Sequence, residues 1–346
     1  MKTIYIQIQL STLINYRRLF LFNQASSDPE RLIYFNRKLF LLLVISLLTC
    51  FNSVEAQQDA QYTQYMYNTI SVNPAYAGSR GVFSGLLLHR SQWVGLDGAP
   101  TTQTLSFNTP LDSEGTLGLG VSVINDEIGP SEEQNLFVDF SYTINTSANT
   151  KLSFGLKAGG NILNVDFSKT PTLEPGDPLF EQNIDRRFSP NFGVGLYWHS
   201  NDWYVGLSVP NFLETDHYDD NGANSDTFLA QERVNYYLIG GYVFDLSPSL
   251  KLKPAFLTKY VSGAPLQVDL SANLLINEKL TLGAAYRWSA ALSAMAGFQI
   301  TDGIMIGYAY DFETTRLRRF NSGSHEVFLR VDLFSNASGV YSPRFF

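Results

Sequence analysis

From about residue 82 onward the chain repeats one pattern, short runs in which apolar side chains alternate with small or polar ones. In 267–276, Val268, Leu270, Ala272, Leu274 and Ile276 share one face of an extended strand, while Gln267, Asp269, Ser271 and Asn273 share the other. The run 116–124 sets Leu117, Leu119, Val121 and Val123 against Gly118, Gly120 and Ser122. The run 303–311 sets Ile304, Ile306, Tyr308 and Tyr310 against Met305, Gly307, Ala309 and Asp311. No helical periodicity persists beyond residue 80. A soluble sandwich also alternates, but its inward faces are apolar, whereas here many strands pair an apolar face with a Gly, Ser, Asn or Gln face. Apolar outside and small or polar inside is the pattern of a transmembrane β-barrel.

Strands are expected near 82–93, 102–109, 116–125, 133–144, 150–163, 189–199, 202–209, 232–245, 249–260, 265–276, 279–288, 291–300, 303–312 and 325–334. That makes about fourteen, an even number as an up-and-down antiparallel barrel requires. The connections sort by parity. Every second one is short (110–115, 145–149, 200–201, 246–248, 277–278, 301–302), and the long ones (164–188, 210–231, 313–324) are all odd-numbered. Short turns face the periplasm and long loops the exterior, which predicts that both termini are periplasmic. The terminal Phe345-Phe346 suits a barrel, many of which end in an aromatic residue.

Composition agrees: of 346 residues, 45% are hydrophobic and only 16% charged, with 19 Tyr, 25 Phe and 26 Gly. The net charge is −8, and residues 57–346, with 18 basic and 29 acidic side chains, carry −11. Such a surface disfavours a nucleic-acid partner.

The long apolar run, Leu39 to Cys50, follows Arg37 and Lys38 and precedes Val54-Glu55-Ala56. A basic flank, a short apolar stretch and small residues at −3 and −1 form an export signal, with cleavage expected after Ala56. The run is too short for a comfortable membrane-spanning helix. Residues 1–36 make a long prelude, as a start codon assigned too early would. The expected organisation is therefore 1–56 as signal and extension, 57–81 as an N-terminal periplasmic or plug segment, and 82–346 as the barrel. Cys50 is the sole cysteine, which excludes a disulfide framework within the chain and leaves lipidation as its alternative use.

Between signal and barrel lies QDAQYTQYMYNTISVNPAYAGSRG, residues 58–81, followed by HRSQWVGLDGAPTTQTLSF at 89–107. Gln61, Tyr62, Gln64, Tyr65, Met66, Tyr67 and Asn68, then Asn73 to Gly78, then Arg90, Gln92, Trp93, Gly98, Ala99, Pro100, Thr102, Leu105 and Ser106 resemble the opening of the PorP/SprF family. These are outer-membrane proteins of the Bacteroidetes type IX secretion system, a system tied to protein secretion and gliding motility. The remaining chain is similar only in its barrel pattern and in the closing Ser-Pro-Arg-Phe-Phe.

The resemblance implies a non-enzymatic barrel component of type IX secretion, aiding export or surface attachment of specific secreted proteins. It implies as partners the periplasmic and outer-membrane components of the apparatus and a secreted cell-surface protein as cargo. A barrel adds outer-membrane lipid. The alternative is an outer-membrane channel for a small solute.

Candidate partner-binding or plug residues are Gln61, Tyr62, Gln64, Tyr65, Tyr67, Asn68, Asn73, Pro74, Tyr76, Gly78, Arg90, Gln92, Trp93, Gly98 and Pro100. In a structural role, Tyr62, Tyr65 and Tyr67 pack at the periplasmic rim or plug the lumen, and Pro74 and Gly78 turn the chain into the first strand. Arg90 and Gln92 are then lumen polar groups and Trp93 an interfacial aromatic. In a docking role the same segment is a handle for periplasmic partners.

No catalytic set stands out. His89, His199, His217 and His325 are scattered, with no HExxH, and no GxSxG surrounds a serine. The sequence implies neither metal nor cofactor. Asp216, Asp219, Asp220 and Asn221 could hold calcium weakly but read better as a solvated loop. Arg316, Arg318 and Arg319 could meet lipopolysaccharide phosphates or a secreted partner, against the same plain alternative.

Overall fold

The computed structural model describes residues 61–169, 183–213 and 233–333. The export signal, the 214–232 acidic stretch with its candidate calcium ligands, and the C-terminal Phe345-Phe346 lie outside the described residues.

Alternating runs become strands because only an extended backbone puts successive side chains on opposite faces. In chain order these are β1 (Phe83–Ser91), β2 (Thr101–Pro110), β3 (Leu117–Ile128), β4 (Ser131–Asn145), β5 (Lys151–Val165), β6 (Ile184–His199), β7 (Trp203–Val209) and β8 (Asn235–Tyr242). They continue with β9 (Phe244–Ser247), β10 (Leu250–Val261), β11 (Gln267–Ile276), β12 (Leu280–Arg287), β13 (Ala291–Thr301), β14 (Ile304–Glu313) and β15 (Ser324–Leu333). Both β8 and β9 pair with β10, so they are two parts of one wall strand. The break falls at Val243, with the register against β10 the same on both sides, and the Val243 N–H donates to the Asp202 carbonyl at 2.7 Å, next in line after the Trp203↔Tyr242 pair.

Every pairing is antiparallel, neighbours in sequence are neighbours in space, and β1 also pairs with β15 from Phe83↔Leu333 to Ser91↔His325. The result is a closed barrel of fourteen wall strands. Closure satisfies the backbone of both would-be edges, which is what permits strands to cross a bilayer. No described helix is long and apolar enough to cross one.

The faces follow the predicted alternation. Outward-pointing Leu136, Leu156, Phe192, Leu207 and Leu270 are each more than half exposed, while Thr102, Thr104, Ser106, Ser122, Asp139 and Ser141 are almost wholly buried inside. An apolar exterior over a polar interior inverts a soluble protein and fits a wall against lipid.

The strand limits differ most around the first long loop. The sequence puts 164–188 in that loop, but β5 runs to Val165 and β6 begins at Ile184. A register shift between Leu163 and Val165 and a left-handed Arg186 (φ 49°), whose N–H bonds Asn164 Oδ1 at 2.9 Å, let the pair continue beyond the alternating region.

Candidate functional site

Residues 61–80 lie inside the wall. Their hydrogen bonds and ion pairs reach β1, β2, β4, β5, β6, β7, β11, β12, β14 and β15. A segment bonded to ten of the fourteen wall strands, on opposite sides of the barrel, occupies the lumen.

It also runs along the axis. Gln61 to Gln64 contact the long-loop ends of β11, β14 and β15 through Gln267, Asp311 and Glu326. Ile70 offers its carbonyl to Lys157 in mid-wall, and Ala77 offers its own to Ser141 Oγ, at 2.7 Å, near the short-turn end. The chain ends themselves, expected at the short-turn side, lie outside the described residues. β15 does end at that side, but Gln61 sits at the opposite mouth because the segment traverses the lumen before turning into β1.

At the long-loop end the anchoring is ionic. Arg90 is 2% exposed; its guanidinium donates to Thr63 Oγ1 at 2.9 Å, Glu326 Oε2 at 3.1 Å and Asp311 Oδ2 at 2.7 Å. Thr63 in turn donates its hydroxyl to Asp311. The Glu326 carboxylate accepts the backbone N–H groups of Thr63 (2.9 Å) and Gln64 (2.8 Å), one on each oxygen. Beside it Arg287 pairs with Asp269 and donates to the Tyr62 carbonyl. Tyr62 OH meets Thr104 Oγ1 at 2.8 Å, and Gln61 donates to Gln267 at 3.0 Å. Buried charges cost far more unpaired than paired, so each carboxylate demands its partner.

In mid-lumen Tyr65 is buried, and Tyr67 lies against Phe328 with ring centroids 4.4 Å apart. Thr69–Val72 forms a single helical turn, α1, and the Asn68 carbonyl before it accepts both Ser71 N and Ser71 Oγ.

The Asn-Pro-Ala-Tyr-Ala-Gly run then makes a 3-10 turn over Pro74–Tyr76. Asn73 caps it by accepting Ala75 N at 3.0 Å, and its amide nitrogen reaches across to the Leu196 carbonyl at 3.0 Å. Pro74 suits the first position, where no N–H is needed. Tyr76 meets Tyr197 edge to face at 5.6 Å.

Glycine on the wall's inner face makes room: a Cβ on Gly155 would collide with the Ala75 backbone nitrogen. Gly78, at φ +69°, turns the chain within contact distance of Gly118. Arg80 follows, paired with Asp332 at 2.8 Å.

The motif therefore divides between two places. Gln92, Trp93, Gly98 and Pro100 occupy the β1–β2 loop at the long-loop mouth. Gln92 N donates to the Pro100 carbonyl at 2.9 Å and is half-buried rather than a lumen group. Trp93 Nε1 donates to Glu313 Oε2 at 3.2 Å, Val94 exchanges backbone bonds with Ser322 and Gly323, and the Gly98 carbonyl accepts Gly129 N. This loop ties the β14–β15 loop to the β3–β4 turn.

Sequence reasoning missed the wall partners Asp269, Asp311, Glu326, Arg287, Asp139, Lys157 and Asp332. The available signal was a charged residue on the inward face of an otherwise apolar strand. Among the described residues, no group of His, Cys, Asp and Glu side chains is disposed to hold a metal ion. His89, His199 and His325 belong to β1, β6 and β15.

Among solved structures the chain is similar to a CymD monoaromatic hydrocarbon channel, with 12% identity, a TM-score of 0.45, and 82% of this chain and 95% of that one covered. A FadL homologue from Pseudomonas aeruginosa gives 12% identity, TM-score 0.37, and coverage of 72% and 87%. A KdgM porin in complex with disordered oligogalacturonate gives 8%, 0.35, and coverage of 72% and 99%. Likenesses this distant carry no functional argument. No curated protein matches. The family model described as type IX secretion system membrane protein PorP/SprF matches residues 54–331, spanning both the lumen segment and nearly the whole wall. The chain belongs to the PorP/SprF family of type IX secretion membrane proteins.

Proposed function

We propose that this chain is a non-enzymatic outer-membrane component of type IX secretion that helps particular exported proteins cross to, or stay on, the cell surface. The short turns and the end of β15 face the periplasm, where the apparatus is met; the long loops face outward, where the cargo is met. The observation that carries this reading is the family match over 54–331, on a barrel whose interior is occupied by residues 61–80.

That occupancy also favours a secretion scaffold over a channel for a small solute. Residues 62–66 and 68–70 are almost wholly buried, and the segment is bonded around the wall rather than lying along one side. Solute passage would require a free path alongside it. The motif's role in this account is to brace the barrel and set the shape of both mouths.

Deleting the gene and comparing surface proteins with solute uptake tests the reading. The expected result is loss of one or a few secreted proteins from the surface with uptake unchanged. Impaired uptake with a full complement of secreted surface proteins would replace the proposal with the channel.

A further inference from the structure

We infer that the β14–β15 loop carries a binding site for a lipid phosphate headgroup, formed by Arg316, Arg318 and Arg319 on the outer rim of the wall. The inference deepens the outer-membrane reading above and rests on it.

The three arginines fall on one 3-10 turn, Arg316–Arg319, and all are exposed. Among the described residues no carboxylate pairs with any of them. The acid next to them in sequence, Glu313, is engaged elsewhere: Oε1 accepts Thr315 Oγ1 at 2.8 Å and Oε2 accepts Trp93 Nε1 at 3.2 Å. In a chain of net charge −8, three adjacent cations without a carboxylate stand out.

Their position points to lipid. The Arg318 guanidinium lies 4.8 Å from the ring centroid of Phe312. Phe312 belongs to the outward face of β14 with Ile306 and Tyr308, so Arg318 is folded down against the bilayer side of the wall. Phe320, 67% exposed, follows the turn directly. Trp288, 66% exposed, projects from the adjoining β12–β13 loop, which is joined to this one by Thr314 N to the Ala290 carbonyl at 2.8 Å. Exposed aromatics on the same rim as a cation cluster match an amphiphile with acyl chains below and phosphate above. Arginine is the suited cation because its planar fork binds phosphate oxygens in pairs.

The loop itself is held in shape. Thr315 caps the turn by accepting Leu317 N, and Asn321 Nδ2 donates to the Leu317 carbonyl at 2.7 Å. The Val94 bonds to Ser322 and Gly323 fix its far end.

The test uses the full chain in phosphatidylcholine nanodiscs doped with diphosphoryl lipid A or its dephosphorylated form, with retained lipid read by mass spectrometry. The phosphorylated lipid should be retained at least about ten-fold better. R316Q/R318Q/R319Q should abolish the difference while the wall stays resistant to unheated detergent, and the triple Arg→Lys variant should keep part of it. Should the glutamine variant fail to assemble, high salt on the unmodified chain must remove the preference instead.

Equal retention of the two lipids, or an unchanged preference in the glutamine variant, overturns the site. Unchanged lipid preference together with loss of a secreted surface protein in that variant overturns it in favour of a protein partner. Nanodiscs offer lipid to both rims, so this outcome is independent of topology; periplasmic labelling of a tag in 314–323 would overturn the orientation alone.

Discussion

Arg90 shows how a single residue can be legible while its partners are not. Its place in the motif marked it as a candidate, and its inward position on β1 follows from alternation. What the sequence could not reveal was that Asp311 and Glu326 meet it, because one acid on the polar face of a strand looks like any solvated lumen residue. The pairing is formed only by closure, which brings β15 beside β1. Arg90→Gln leaves two buried carboxylates short of their cation and should destabilise the barrel by about 3–5 kcal/mol, measured as a lower urea midpoint in micelles. Adding Glu326→Gln to it should cost less than the sum of the single changes, since the two share one interaction; strict additivity would show that they do not. The tyrosines lead to a parallel expectation. Tyr62 and Tyr65 are buried in the lumen with Tyr67 beside them, so Y62A/Y65A/Y67A should impair assembly and secretion together. Normal heat-modifiability with failed secretion would instead make this face of the segment a docking surface.

Strands were the legible elements, because period-2 alternation is imposed directly by lipid on one side and the lumen on the other. Their number and order could be read, but not irregularities such as the break at Val243 or the extension of β6 back to Ile184, which depend on neighbouring strands and loops. The glycines on the second faces of β3 and β14 indicated only a small or polar interior; the structure brings backbone of the lumen segment against Gly118 of β3 and Gly155 of β5. Gly155→Val would force the Asn-Pro-Ala-Tyr-Ala-Gly run off the wall. We expect the barrel to assemble while cleavage within 61–80 by an added protease rises several-fold over the unmodified chain. Continued protection would mean that this close approach is not what seats the segment. The loops make a separate prediction: tags in 166–183, 210–234 and 314–323 should be labelled on intact cells, and tags in 146–150 should not. The reverse pattern would invert the barrel.

At the scale of the whole molecule, residues 61–80 and the wall form one structure, each supplying the other's hydrogen-bond and ionic partners. The resemblance read from 61–106 identified the family, yet it joined in one motif residues that the fold sends to opposite places, the lumen and the β1–β2 loop. No local pattern carries that separation, because it depends on the segment crossing the full depth of the barrel. In the proposed role this segment fills the lumen, leaving a secretion component rather than an open pore. Single-channel recording in planar bilayers tests it most directly. The intact chain should show little or no steady conductance, and Gly155→Val or removal of 61–78 should open it. Steady porin-like conductance from the intact chain, unchanged by either alteration, would contradict the account.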